Sequence, residues 1–414
     1  MIERLVVWAI EHRVTVLLLT FVATVAAALV GRGLELDALP DITNNQVVVL
    51  STAPGFTPEE VELRVARPIE MALGGIPGLV TQRSISRYGI TAVTAVFEDD
   101  VDPVVARQRV GERISALADQ LPEGVSPPEL GPYTGGLGEI FHFTLRSPTR
   151  SPAELLELVE LRISPLLRTV PGVVEVNSWG GAVRTLDVVA DPVRMETFGV
   201  SLPELENTLE RSSVSRPGAS LPAGSRQTLV RAVSLPRSAV ELGETVIRGE
   251  TESGRAVRVS DVASVRSGSL PRLGAATGNG SGELVYVMAQ MTRGENALEV
   301  VSGIEERMSD VRRALPSDVE VDVIYDRGVL VRKTLRTVFT NLAEGGLLVS
   351  LVLFLLLGSV RAGLLVALTI PLSMVAALAA MVFFDVPGNL MSLGAIDFGL
   401  LVDGSIVMVE AFFH

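Results

Sequence analysis

The sequence predicts a membrane protein of mixed class, membrane α-helical plus α+β. Apolar helices cross a bilayer, and between them lies a large region that uses one folding pattern two times. Three observations carry this. Apolar residues concentrate at 14–30 and again from about 337 to the last residue, where they form runs of membrane-spanning length. Residues 31–336 have ordinary globular composition. Within them, period-2 strands and helical-period segments alternate in the same order twice.

The N-terminal MIERLVVWAIEHR carries both charge signs and a Trp on a helical period, which suits a helix lying in the membrane interface. VTVLLLTFVATVAAALV, 14–30, is a run of 17 uncharged residues and predicts a first span. Gly31, Arg32 and Gly33 do not make a small-x-small cleavage site, so this span is expected to be retained. A second span is predicted over about 337–357, ending in GGLLVSLVLFLLL. The loop GSVRAG follows, then a third span over about 362–384, interrupted and kinked at Pro371. After the turn DVPGN comes a fourth span, about 389–413. With a cytoplasmic N-terminus the large region lies outside. Arg361 then fits the positive-inside rule, whereas Arg332, Lys333 and Arg336 oppose it.

In the middle region, QVVVLSTA (46–53) reads as a strand. TPEEVELRVARPIEMAL (57–73) reads as a helix opened by a capping box of Thr57 and Glu60. Strands at about 79–87 and 91–97, joined at Tyr88-Gly89, a helix at about 103–120 and a strand near 125–133 complete a ferredoxin-like, split βαβ order. The order recurs with strands at 139–146 and 173–178 around a helix at 152–168. It resumes with ELVYVMAQM (283–291), a helix at 296–314 and VEVDVIY (319–325). The intervening stretch, about 180–280, is too long for a bare loop and predicts an inserted subdomain. Inside it, SRPGASLPAGSRQ (215–227) reads as an extended arm, because its prolines and glycines oppose both helix and regular sheet.

Composition excludes several chemistries. A net charge of −13 argues against nucleic acid as a partner, since phosphate binding needs clustered Lys and Arg, and Lys333 is the sole lysine. Without cysteine there is no disulfide, thiolate metal site or cysteine nucleophile. His12, His142 and His414 are not spaced as a zinc pair. Met288 and Met291, three apart on a strand, face opposite sides and read as core packing. Met391 and Met408 read as ordinary residues of a membrane helix, and Asp99, Asp100 and Asp102 as a solvated turn. No metal site and no cofactor is assigned, and no nucleophile–base pair marks an enzyme.

The chemistry concentrates in the predicted fourth span. GAIDFGLLVDGSIVMVEAFFH (394–414) places Asp397, Asp403 and Glu410 among apolar residues. Each ionised carboxylate at mid-bilayer costs about 2.5–3.5 kcal/mol, a cost that leucine would avoid. Along a helix Asp403 lies about 9 Å from Asp397 and Glu410 about 10 Å further on. Asp403 and Glu410 share a face, with Asp397 about 120° away. Three acids so spread cannot hold one ion from this helix alone; they suit proton-accepting stations along the membrane normal. Gly394, Gly399 and Gly404 admit a close neighbouring helix. Glu344 in the second span is a further polar candidate, with an interfacial position near the helix start as the alternative.

At these residues the chain resembles the resistance-nodulation-division superfamily of transporters, and within it the heavy-metal efflux branch. The resemblance rests on DALPDITNNQV (37–47), PGFTPEEVE with RPIE, SISRYGITAVTAVFED (84–99), GLGEI (136–140), IPLS (370–373) and above all DFGLLVDG with Glu410. The drug-efflux branch carries two adjacent aspartates where this chain has Asp403 and Gly404, and the earlier Asp397 is the metal-branch arrangement. The resemblance implies that Asp397, Asp403 and Glu410 are proton-relay carboxylates. It implies an interfacial and first membrane helix at 1–31, a first porter subdomain at 32–134, and a second at 135–180 and 281–330. It also implies a docking subdomain at 181–280 and transmembrane helices at 331–414.

It further implies a homotrimer in the bacterial inner membrane, with the large domain in the periplasm. Its partners would be a periplasmic adaptor (membrane fusion) protein, an outer-membrane channel and membrane lipid. The arm near 215–227 would reach a neighbouring subunit, and a transition-metal cation would be the substrate, expelled against protons. Family members are about two and a half times as long, so these 414 residues are expected to be an N-terminal part that cannot pump alone. Ala411 stands where the family usually has Asn. Two other readings compete: export of organic drugs by the same mechanism, and a membrane-anchored assembly or sensor fragment without transport.

Overall fold

The structure is a computed structural model. It describes residues 8–9, 11–31, 42–212, 215–223, 226–233, 235–250, 256–272, 274–280, 282–357, 360–384, 386, 388–389 and 407. The predicted fourth span therefore lies outside the described residues except at Asn389 and Val407.

Helix α1 covers Arg13–Gly31 and has no fully buried residue. Among the described residues it is the one helix long and apolar enough to cross a membrane by length and composition, so the four predicted spans are not all reproduced.

The first α+β unit contains β1 (Gln46–Thr52), helix α2 over 58–73, β2 (Leu79–Arg87), β3 (Ile90–Phe97), α3 (Pro103–Ser115) and the short β4 (Glu129–Leu130). Its antiparallel sheet runs β2-β3-β1-β4. Alternation explains the burial: Val47 and Val49 with Val93, Ala95 and Phe97 face the helices, where Val61, Val65, Ile69, Ala106 and Val110 meet them. The predicted capping box is present, with the Thr57 N–H donating to Glu60 Oε2 at 3.0 Å. The acidic turn is exposed, as read, and its Asp102 also caps α3 by accepting from the N–H groups of Val104 and Val105.

The second unit opens with β5 (Glu139–Arg146), helix α4 over 152–167 and β6 (Val173–Gly180). The inserted stretch follows. It holds β7 (Arg184–Ala190), helices Pro192–Phe198 and Leu202–Ser212, and β8 (Ser215–Ala223) paired with β9 (Arg226–Val233). Next come helix Ala239–Gly243, β10 (Val246–Glu250), β11 (Ala256–Arg258), helix Val259–Val262, β12 (Ala263–Ser269) and β13 (Ala276–Thr277). Met195, Val200, Leu205, Val257, Val259, Val262 and Ala263 give it a small core of its own.

One expectation fails here. The stretch 215–227 was expected to resist regular sheet, yet Ser215–Ala223 forms a ladder with a register shift between Pro217 and Ser220. In a two-stranded hairpin both strands are edges, so a proline without an N–H need break no ladder bond.

The unit closes with β14 (Glu283–Met291), α5 (Ala297–Ala314) and β15 (Glu320–Asp326). β5 pairs with β14 and β15, while β6 and β13 pair with β14. Counting the four main strands within each unit, both sheets run 2-3-1-4.

The two units match in detail. Thr57-Pro58 and Ser151-Pro152 begin α2 and α4, each with a capping box, and Pro77-Gly78 and Pro171-Gly172 follow them at the same spacing. Both glycines have positive φ, and a Cβ there would lie 2.5 Å from Val101 Cγ2 or 2.6 Å from Val300 Cγ2. Each helix also widens into one π turn, Glu62–Ala66 and Val159–Ile163, where Arg67 N–H reaches Glu62 O and Ser164 N–H reaches Val159 O. A proline follows directly, Pro68 or Pro165. Such a ring clashes with the carbonyl four residues back, and the wide turn relieves that clash without ending the helix.

Asp318 ties the start of α4 to β15. Its carboxylate accepts from Arg150 Nε (2.8 Å) and Nη2 (3.1 Å), Ser147 Oγ (3.0 Å) and Thr149 Oγ1 (2.9 Å). Chiefly through the Arg150 bond, its pKa is held down at about 2. A depressed carboxyl contributes stability above the ordinary range near 4 and loses it as pH falls through the folded value. Asp318→Asn is therefore expected to lower the denaturation midpoint at pH 7, and the difference from wild type should vanish by about pH 2. Water and salt still screen this half-buried pair, so the pH 7 effect is modest. A difference independent of pH would refute the assignment.

β15 passes without a loop into α6 (Arg327–Leu357), and α7 (Val360–Phe383) packs against both α6 and α1. Two expectations shift. The predicted GSVRAG loop is mostly helical, because α7 starts at Val360 and Arg361 and Ala362 are good helix formers. The predicted interruption at Pro371 is absent as a break, since α7 runs through it. Neighbouring helices and local adjustments accommodate a proline inside an apolar helix.

Candidate functional site

The carboxylates with the strongest sequence signal, Asp397, Asp403 and Glu410, lie outside the described residues, as do Met391 and Met408. Glu344 is described. It is exposed and lies 17 residues beyond the start of α6, about 26 Å along the axis, because the helix begins ten residues ahead of the predicted span. On a helical wheel it falls with Lys333, Arg336, Thr337, Thr340 and Asn341 in one polar arc, and from Gly345 the helix is apolar apart from Ser350.

A second polar locus is the face of the second sheet that its helices do not cover. Core alternation turns Phe141, Phe143, Leu145, Val285, Val287 and Ala289 inward. The intervening positions therefore point away: His142 and Thr144 on β5, Tyr286, Met288 and Gln290 on β14, and Glu175, Asn177 and Trp179 on β6. Met288 stands opposite both His142 and Asn177. Tyr286 Oη and His142 Nδ1 are 2.6 Å apart, and His142 Nε2 lies 3.7 Å from Glu139 Oε2. Burial lowers the His142 pKa, with Glu139 opposing, and so favours the neutral imidazole. Burial also raises the Tyr286 pKa. A cleft of about 290 Å³ opens beside this pair, lined by Gly136, Leu137, Glu139, His142, Tyr325 and Arg327.

Met291 joins the inner core and Met288 the outer face, both buried, in line with the parity read from the sequence. Among the described residues no three His, Asp or Glu side chains gather as a metal site. The His142–Tyr286 pair was not anticipated. The outward parity of both strands was legible, but their pairing register was not.

Two α+β units of equal strand order, the second split by an insertion and each linked to apolar helices, match the fold of the resistance-nodulation-division class. The chain belongs to the AcrB/AcrD/AcrF family, whose model matches residues 5–414, and this is a family of efflux transporters. It is 39% identical over 417 residues to Protein HelA of Legionella pneumophila, covering 99% of this chain and 39% of HelA. It is 38% identical over 419 residues to the cobalt-zinc-cadmium resistance protein CzcA of Cupriavidus metallidurans, covering 99% of this chain and 39% of CzcA. A crystal structure of a heavy metal efflux pump superposes with a TM-score of 0.88 at 36% identity, covering 98% of this chain and 40% of that one. The chain thus spans about two fifths of the length of the relatives it matches.

Proposed function

We propose that this chain is part of a proton-driven exporter of transition-metal cations, a cation/proton antiporter of the bacterial inner membrane. One observation carries the reading: a member of an efflux family, similar to relatives named for metal resistance, places Asp397, Asp403 and Glu410 in an otherwise apolar stretch. Carboxylates there are costly, and proton traffic repays that cost. In this reading α1, α6, α7 and the stretch 389–413 are four spans. The unit from β1 to β4 and the unit closed by β15 are porter subdomains in the periplasm, and the insertion docks to a periplasmic adaptor protein and an outer-membrane channel. The working form is a homotrimer, with the 215–227 arm reaching a neighbour.

The metal emphasis is tested in the source organism. Deleting the gene is expected to lower tolerance to zinc, cobalt, copper or silver severalfold and leave tolerance to dyes and antibiotics unchanged. The opposite pattern would establish the organic-export reading. Unchanged tolerance to both would favour an assembly or sensor role.

A further inference from the structure

The segment that joins the two units, GPYTGGLG (131–138), contains four glycines and is tied on every side. Gly131 O accepts from Arg107 of the first unit at 2.7 Å. Tyr133 O accepts from the Arg293 N–H at 3.1 Å, and Gly138 O from the Met291 N–H at 2.8 Å, both in the second unit. Gly136 N–H donates to Thr43 Oγ1 at 2.6 Å, in the lead from α1 into β1. Arg293 reaches the same lead, donating to Thr43 O at 2.9 Å and Asn44 O at 3.3 Å. Arg327, buried at the first position of α6, donates to Leu137 O. The lead from one membrane helix and the root of another thus meet at a single glycine-rich connection.

We propose that residues 131–138 are a hinge through which displacement of α6 turns the first sheet against the second, with Arg327 and Arg293 as positioning residues. This rests on the transport reading for its purpose but not for its geometry. Glycines permit the backbone rotation a hinge requires. The buried Arg327 guanidinium couples α6 to the hinge at Leu137. Arg293 sets the rest angle by holding the 43–44 backbone against the second unit. Shift of a helix end by a fraction of a turn is a known way to move packed units.

The absence of cysteine makes the test clean. A Cβ on Gly136 would lie 4.0 Å from Thr43 Cβ, inside the disulfide range of about 3.5–4.5 Å, and the Thr43 Oγ1 it would crowd is the atom replaced. Thr43→Cys/Gly136→Cys is expected to cross-link on mild oxidation of this chain. Introduced into the whole transporter, the pair should abolish metal tolerance when oxidised and restore it on reduction. A merely structural contact would tolerate the lock, so full activity in the cross-linked state would overturn the hinge, as would failure to cross-link.

A second arm does not depend on transport. With spin labels at Ser115→Cys and Ser309→Cys, one in each unit, Arg293→Gln is expected to widen the distance distribution at least twofold. An unchanged width would remove Arg293 from the proposal. If the unmodified transporter gives no metal tolerance, the transport reading fails and the label distances alone decide the hinge.

Discussion

Asp403→Asn is expected to abolish metal tolerance while leaving the protein in the membrane at wild-type level. Asparagine has nearly the shape of aspartate but cannot take up and release a proton. The sequence GLLVDGSIVMVE around it is mostly apolar, and exchanging a charge for an amide makes membrane insertion easier. Loss of function would therefore report chemistry rather than misfolding. Removing a group that transfers a proton typically costs about 10²–10⁴ in rate, so residual transport should lie near background. The measurement is metal-dependent proton release in proteoliposomes holding the whole transporter, alongside tolerance in cells. Glu410→Gln is expected to behave alike, because a spacing of seven residues would put it on the Asp403 face of a helix. Wild-type tolerance in Asp403→Asn would remove the proton drive, leaving the non-transporting reading.

Phe143→Ala is expected to destabilise the second α+β unit by about 3–5 kcal/mol. Phe143 is fully buried at the centre of β5, opposite Val287 of β14 and Val323 of β15 and beneath the helices that carry Leu155, Val159 and Ile304. Removing the ring leaves a cavity that a sheet held on both sides cannot close by collapse. The core of the first unit, built on Val49, Ile69 and Val93, is a separate cluster. Denaturant unfolding followed by limited proteolysis should therefore show early cleavage within 139–326 and a first unit that persists. His142→Ala, next in sequence but on the outward face, should cost clearly less. Equal losses at the two positions would mean that the outward face is packed as tightly as the core.

Much of the fold was legible because its signals are local. Alternation in QVVVLSTA and ELVYVMAQM and the Thr57–Glu60 pair each act within a few residues. The misses have local causes too. In 215–227 prolines were weighed as breakers, although an edge strand tolerates them. GSVRAG reads as a loop by its glycines and serine, although its Arg and Ala favour helix. The second capping box, Ser151 with Glu154, repeats the first at the same spacing ahead of its Pro-Gly and was there to be found.

The sequence by itself determined the apolar blocks, the doubled strand–helix order and the acids in the last apolar stretch, because hydropathy, period and desolvation cost depend on residue type alone. Only the tertiary structure decided that Met288 meets His142 and Asn177, that Asp318 draws four donors, and that Thr43, Gly136, Arg293 and Arg327 converge on one glycine-rich joint. Such contacts join residues up to about 250 positions apart. They depend on strand register and on how elements pack, and neither is written in any short window of sequence.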